Sequence, residues 1–265
     1  MTRIILAAIV CSIMTISSAS AASAARAALA PTGTLRATFI ATNPVQGIVD
    51  AKTGAVKGPA DDLTRELGRR IGAPVKVTPA NGVQGVLQAV KNGEADIGFL
   101  AFDPSRAGEV DYSQVYSLAQ NTFMVPAASA LKSAAEIDRA GLRIGVTEGD
   151  TGALYLGRTL KNAQLSPNKG GDMNLALKML RAGEIQAYGT NRQRLYELLQ
   201  ANPDMRLLPD NFYGVPQAII VKKGNREALE AVDHMLDEAR GSGLIAASIR
   251  RTGLVGVDVA PPRAK

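Results

Sequence analysis

One corner of this sequence is written twice. Val90-Lys-Asn-Gly-Glu94-Ala-Asp96 lines up with Leu180-Arg-Ala-Gly-Glu184-Ile-Gln186, and in both a helix-like pattern is turned by glycine into a strand-like run. A repeated corner in the same place of two halves is most economically read as two similarly built α/β lobes. Around both copies the apolar pattern alternates between strand and helix periods, the rhythm that predicts a largely parallel sheet covered by helices.

In the first half, LRATFI (35–40) reads as a strand. Leu63, Leu67 and Ile71 then recur every four residues along a helix that Gly72 stops. VKVTP (75–79) alternates as a strand, Val83, Val86, Leu87 and Val90 share one helical face, and Ile97 to Leu100 form the next strand. The rhythm restarts at residues 142–146, followed by a glycine-containing turn and a helix from about Thr151. AIIVKK (218–223) is a late strand, and the segment after it predicts two helices split at Gly241-Ser-Gly243.

Class and compartment follow from the first residues and from composition. Arg3, an apolar run from Ile4 to about Ile16 and Ala22-Ser-Ala24 read as a secretory signal peptide over residues 1–24, removed on export. The run is shorter than the ~20 residues of a membrane span. Cys11, the only cysteine, lies inside it, so the exported chain contains no disulfide. The formal charge of +6 becomes +5 without Arg3 and is scattered, with no basic block interleaved with aromatics, which speaks against nucleic-acid binding. The expected lobes are 31–125 plus 217–265 and 126–216, with a composition shift at AASALKSAAEI marking the crossing. A return of the last portion to the first lobe makes a two-crossing hinge with a ligand cleft between lobes.

Gly33-Thr-Leu-Arg36, Gly58-Pro-Ala-Asp-Asp62-Leu63, Gly93-Glu-Ala-Asp96, Arg106 with Val110-Asp111-Tyr-Ser113, Gly149-Asp-Thr151-Gly152, Tyr213-Gly214 and Val221-Lys-Lys-Gly-Asn225 occur in order over about 200 residues. Taken together, the chain resembles the periplasmic solute-binding proteins of family 3, the polar amino-acid capture components of ABC importers. The resemblance implies two Rossmann-like α/β lobes of the type II periplasmic binding fold, closing on a small solute.

For the site, the resemblance puts Arg106 where such proteins hold a carboxylate, in Asp103-Pro-Ser-Arg106. A guanidinium suits that task because its fork of donors makes two charge-assisted hydrogen bonds. The plainer alternative is an arginine in the first turn of a helix capped by Asp103 and begun by Pro104. Asp150 and Thr151 stand at a helix N-terminus, where unpaired backbone donors favour an anion, and the same residues serve equally as caps. The ammonium-binding aspartate of the family falls on Asn191, which is neutral, and this puts an ordinary α-amino acid in doubt. Asn43 is a further polar candidate in a loop without the usual aromatic. Phe102 and Tyr188 are candidate pocket walls that equally well simply pack, and Tyr213 is either wall or hinge packing. Glu148 is the residue a catalytic role would need. His234, alone on the C-terminal helix, is not a metal ligand.

The function expected from this reading is an exported binding component of an ABC importer in the periplasm. It captures a small polar or carboxylate-bearing solute, an amino acid or related organic acid, by lobe closure. It works as a monomer without cofactor or metal, with an inner-membrane permease as partner. Two alternatives remain: a cyclohexadienyl dehydratase-like enzyme of the same fold, and a protein presenting its ligand to a separate sensor.

Overall fold

The computed structural model describes residues 23–263. The expected signal peptide lies almost wholly outside the described residues. Two compact units emerge. Unit 1 holds the described residues up to Tyr116, then Gln217–Thr252 and the residues from Val259 on; unit 2 holds Ser117–Pro216 and Gly253–Asp258. The chain therefore passes between units at 116/117, 216/217, 252/253 and 258/259.

Unit 1 begins with a helical stretch, α1 (23–29). Then come β1 (Leu35–Ile40), a hairpin of β2 (Ile48–Val49) and β3 (Val56–Lys57), α2 (Pro59–Ile71), β4 (Val75–Ala80), α3 (Gly82–Lys91), β5 (Ile97–Ala101) and β6 (Val110–Tyr112). Leu63, Leu67 and Ile71 of α2 are all buried, as their spacing requires. β4 and β5 flank β1 in parallel, with Leu35 opposite Val75 and Ala37 opposite Ile97. The far edge of β5 takes the Gln217–Val221 part of a long late strand in antiparallel register.

Unit 2 repeats this plan. Its elements are β7 (Ser117–Pro126), β8 (Arg143–Thr147), α4 (Thr151–Thr159), β9 (Gln164–Asn168), α5 (Met173–Arg181), β10 (Ala187–Asn191), α6 (Arg192–Leu199) and β11 (Met205–Leu207), followed by the start of β12 (Tyr213–Lys222), the late strand already met in unit 1. β9 and β10 flank β8 in parallel, and β7 runs antiparallel to β10 with Asn191 opposite Asn121. Each unit is thus three parallel strands and an antiparallel fourth, β4-β1-β5-β12 and β9-β8-β10-β7. Period-two alternation along β7 sends Phe123 and Val125 into one core cluster and Met124 into another, so both faces of this sheet are covered.

The duplicated corner keeps its glycine turn in both units and differs in the side chains that clasp it. Gly93 and Gly183 both take left-handed backbone angles, φ 74° and 68°, which a glycine adopts without penalty. In unit 1 the Asp96 carboxylate accepts from Arg36 N, Nε and Nη2 at 2.8, 3.1 and 2.6 Å. In unit 2 Gln186 Oε1 accepts from Arg143 N at 2.8 Å. Arg143 turns its guanidinium to the carbonyls of Glu184 and Gly183 instead.

The C-terminal part packs on unit 1 as α7 (Arg226–Gly241) and α8 (Leu244–Thr252), split at Gly241-Ser-Gly243 as the sequence predicts. Arg70 of α2 bridges Glu66 on its own helix and Glu238 on α7. Residues 253–258 then run in unit 2. Val255 N donates to Gln193 Oε1, Gln120 N donates to Gly256 O at 2.8 Å, and Gln120 Nε2 donates to Asp258 Oδ2. Gly256 lies so close to Arg192 that a Cβ there would stand 2.6 Å from Arg192 Cδ. The last strand, β13 (Val257–Val259), leads on to Ala260, whose N–H donates to Tyr116 O in unit 1.

Candidate functional site

In each unit the polar candidates gather where parallel strands end at their carboxyl termini, the edge at which open α/β sheets place ligand groups.

In unit 1, β5 ends at Ala101 and Phe102-Asp103-Pro104-Ser105-Arg106 follows. The segment makes a single 3-10 turn, Pro104–Arg106, not the first turn of a longer helix. Asp103 is extended, with φ −145°, and its Oδ1 accepts from Ser105 N at 2.9 Å and Ser105 Oγ at 2.8 Å. The same carboxylate reaches Arg106: Oδ2 lies 3.2 Å from Nη2. Arg106 Nη1 donates to Ala101 O at 3.4 Å, and the Arg106 side chain is 24% exposed.

Tyr112 of β6 backs this turn. Its ring meets Phe102 edge-to-face, centroids 5.1 Å apart at 72°. Burial pushes the Tyr112 hydroxyl pKa up; Arg106 pulls it down by hydrogen bonding and by its charge, and Asp103 acts both ways, its charge raising and its backbone lowering it. Phe102 itself is 38% exposed. The end of β5 therefore presents a cation, a carboxylate and an open aromatic ring on one short turn.

Asn43 follows the end of neighbouring β1. Its Oδ1 accepts from Val45 N at 3.2 Å and its carbonyl accepts from the amides of Gln46 and Gly47, so it shapes the loop and its side-chain NH2 remains to donate. Gln46 locks that loop further by accepting from Ile40 N and donating to Gln217 Oε1.

In unit 2 the corresponding group lies after β8 and β10. Asp150 caps α4, its Oδ1 accepting from Gly152 N at 3.3 Å, and its Oδ2 accepts from Thr190 Oγ1 at 2.9 Å. Thr151, the first residue of α4, is half-buried. Asn191 caps α6, with Oδ1 accepting from Arg194 N at 3.2 Å. The structure therefore brings Asp150, Thr151 and Asn191 to one end of the unit-2 sheet and gives Asp150 and Asn191 cap duties.

Tyr188 is fully buried in the core with Met124, Leu177 and Leu195, so its ring is packing. Only its hydroxyl reaches the polar group, 2.9 Å from Thr147 Oγ1 and within 3.3 Å of Asn168 Nδ2. Tyr213 stacks on Tyr155 of α4 at 4.5 Å and 14°. Glu148 is exposed beyond the end of β8, and His234 is exposed on α7 beside Glu238. Among the described residues, no group of three or more His, Cys, Asp or Glu gathers to hold a metal ion.

Sequence reasoning passed over three residues of these groups. Thr190 fixes Asp150; Asn121, fully buried, lies opposite Asn191 and donates from Nδ2 to Tyr213 O at 3.4 Å; Asp103 stands beside Arg106 as well as capping its turn. A signal for two of them lies in the strands: Asn121-Thr122 and Thr190-Asn191 are polar pairs inside apolar runs.

Comparison with known proteins gives consistent matches. The model of bacterial extracellular solute-binding proteins, family 3, matches residues 35–252. The chain is 25% identical over 177 residues to the glutamine-binding protein of Geobacillus stearothermophilus, covering 65% of this chain and 66% of that protein. It is 22% identical over 201 residues to the ABC transporter glutamine-binding protein GlnH of Bacillus subtilis, covering 74% and 72%. Among solved structures, an ancestral arginine-binding protein bound to arginine superposes with a TM-score of 0.60 at 26% identity, covering 83% of this chain and 97% of that one. An amino acid ABC transporter substrate-binding protein, AbpA from Streptococcus pneumoniae, bound to L-arginine, gives a TM-score of 0.61 at 21% identity, covering 85% and 96%, a likeness of fold.

Proposed function

Since the chain belongs to the bacterial extracellular solute-binding proteins of family 3, we propose that it is the periplasmic capture component of an ABC importer and takes up a small polar, carboxylate-bearing solute. The observation that carries this is Arg106, whose part-exposed side chain lies on the turn after β5, which also carries the exposed ring of Phe102. A guanidinium in that setting receives a carboxylate through paired charge-assisted hydrogen bonds while the ring covers an apolar portion. Asn43 is a further solute contact of the unit-1 group in this reading, and Asp150, Thr151 and Asn191 are the candidate contacts of the unit-2 group. A membrane permease is the partner, and the chain acts without catalysis. A binding role is supported by the family match, and Glu148, the residue a catalytic role would need, stands exposed beyond the end of β8.

The test is thermal stabilisation of the refolded, solute-free protein by amino acids, keto acids and dicarboxylates, since a ligand bound only by the native state raises the melting temperature by mass action. Stabilisation that Arg106→Ala abolishes supports the reading. Equal stabilisation of Arg106→Ala removes Arg106 from the site, and silence of the wild type across the panel sinks the solute class.

A further inference from the structure

We propose that Asp103 is a specificity residue of the unit-1 ligand group: fixed beside Arg106, its carboxylate selects a solute that carries positive charge next to its own carboxylate and disfavours one that is simply anionic. The inference rests on the reading that Arg106 receives a carboxylate, and it concerns what else that solute must carry.

Asp103 cannot swing away to leave Arg106 as a bare anion receptor. Its Oδ1 is held by both the backbone and the hydroxyl of Ser105, and its backbone is closed into the turn by Arg106 N donating to Asp103 O at 3.1 Å. Oδ2 is consequently fixed 3.2 Å from Arg106 Nη2. That contact, with the one to Ala101 O, engages a minority of the five guanidinium N–H donors, so a further carboxylate can still dock on the fork.

A docked carboxylate would lie within about 5 Å of the Asp103 carboxylate, and like charges at such a separation near a protein surface repel by on the order of 1–4 kcal/mol, roughly five- to a thousandfold in affinity. An ammonium or guanidinium adjoining the solute's carboxylate reverses the sign of this interaction with Asp103, whose side chain is 38% exposed. The groups of unit 2 do not duplicate this charge. Asn191 is neutral with its oxygen engaged on α6, and both oxygens of Asp150 are engaged by Gly152 and Thr190. The neutral Asn191 therefore does not by itself exclude a solute with an ammonium group.

Asp103→Asn isolates the charge, because asparagine keeps the acceptor that Ser105 needs. Wild type, Asp103→Asn, Asp103→Ser and Arg106→Ala, each confirmed folded by circular dichroism, are titrated calorimetrically with glutamine, arginine and phenylalanine, each beside its des-amino carboxylate, and with succinate. The expected result is a wild-type preference for the amine-bearing member of at least one pair that falls by about tenfold or more in both Asp103 variants, with the des-amino acid or succinate bound more tightly than by wild type. An unchanged preference in Asp103→Asn, while Arg106→Ala loses binding, overturns the role of Asp103 and leaves solute capture standing. Binding by wild type that Arg106→Ala does not weaken, or no binding of any of these compounds, overturns both.

Discussion

The duplicated corner makes a quantitative experiment, because nature has placed a charged clasp in one unit and a neutral one in the other. In unit 1 the Asp96 side chain is 5% exposed and accepts three hydrogen bonds from Arg36, whose own side chain is 24% exposed. Arg36→Ala removes the two guanidinium bonds and the balancing charge but leaves the carboxylate buried. Breaking a buried pair this way costs about 3–5 kcal/mol. Partial exposure of Arg36 lets water reach the site, so about 2–3 kcal/mol is expected here. Asp96→Gln instead turns the clasp into its unit-2 form, with Gln Oε1 accepting from Arg36 N as Gln186 does from Arg143 N. The arginine then stays near water, and about 1 kcal/mol is expected. Arg143→Ala removes only exposed bonds to the carbonyls of Glu184 and Gly183 and should cost about 0.5–1 kcal/mol. Urea unfolding followed by far-ultraviolet circular dichroism reads these values, with the transitions of the two units fitted separately where they resolve. With a slope of about 3 kcal/mol/M, the midpoint moves by roughly 0.7–1 M for Arg36→Ala and roughly 0.3 M for the other two. The reasoning fails if Arg36→Ala is no worse than Asp96→Gln, or if Arg143→Ala matches Arg36→Ala.

Further outcomes rest on other contacts. Gly256→Ala forces a side chain onto a backbone at φ 76° and against the Arg192 stem, and should destabilise by about 1–3 kcal/mol, read as a melting temperature lower by about 2–12 °C; an unchanged melting temperature would refute the close packing. Arg69 and Arg70 hold the Glu66 carboxyl at about 2, below its ordinary 4.5. Its ionised form thus favours the folded state, fully so above pH 4.5, and that contribution is lost as pH falls from 4.5 towards 2. Glu66→Gln should accordingly flatten the stability curve in that window, and a curve of unchanged slope would count against it. Thr190→Val keeps the shape of the threonine but removes a donor from Asp150, so it should weaken solute binding several-fold while changing stability by less than about 1.5 kcal/mol; equal loss of both would mark Thr190 as merely structural.

Much of the fold was legible because it is written in apolar spacing and glycine. The strand at 35–40, the helix on Leu63, Leu67 and Ile71 and the split at Gly241-Ser-Gly243 all come from side chains that have only one way to be buried. The site was less legible, for a physical reason. Whether Arg106 sits in a helix or a lone turn is decided by the residues C-terminal to it, and Gly108 with the β6 pairing to β12 ends the turn after three residues. Pocket wall and plain packing were both open for Tyr188, and strand alternation sends its ring into the core beside Met124. The bond from Thr190 to Asp150 joins residues 40 apart in sequence, and no local pattern encodes it. The six residues from Gly253 likewise carry no periodicity, and they are fixed by side chains far away, Gln120, Arg192 and Gln193.

Those six residues also set a timetable for synthesis. Most of unit 2 has left the ribosome before Gly253 is made, and the amide of Gln120 and the side chain of Gln193 wait for partners, Gly256 and Val255, that follow in the chain only after the helices of unit 1. Nascent unit 2 is therefore an unfinished body until Gly253–Asp258 is made, and neither unit can be cut out as one continuous piece. A chain stopped at Thr252, where the family match also ends, would keep every helix described here and still deprive unit 2 of the segment that closes it.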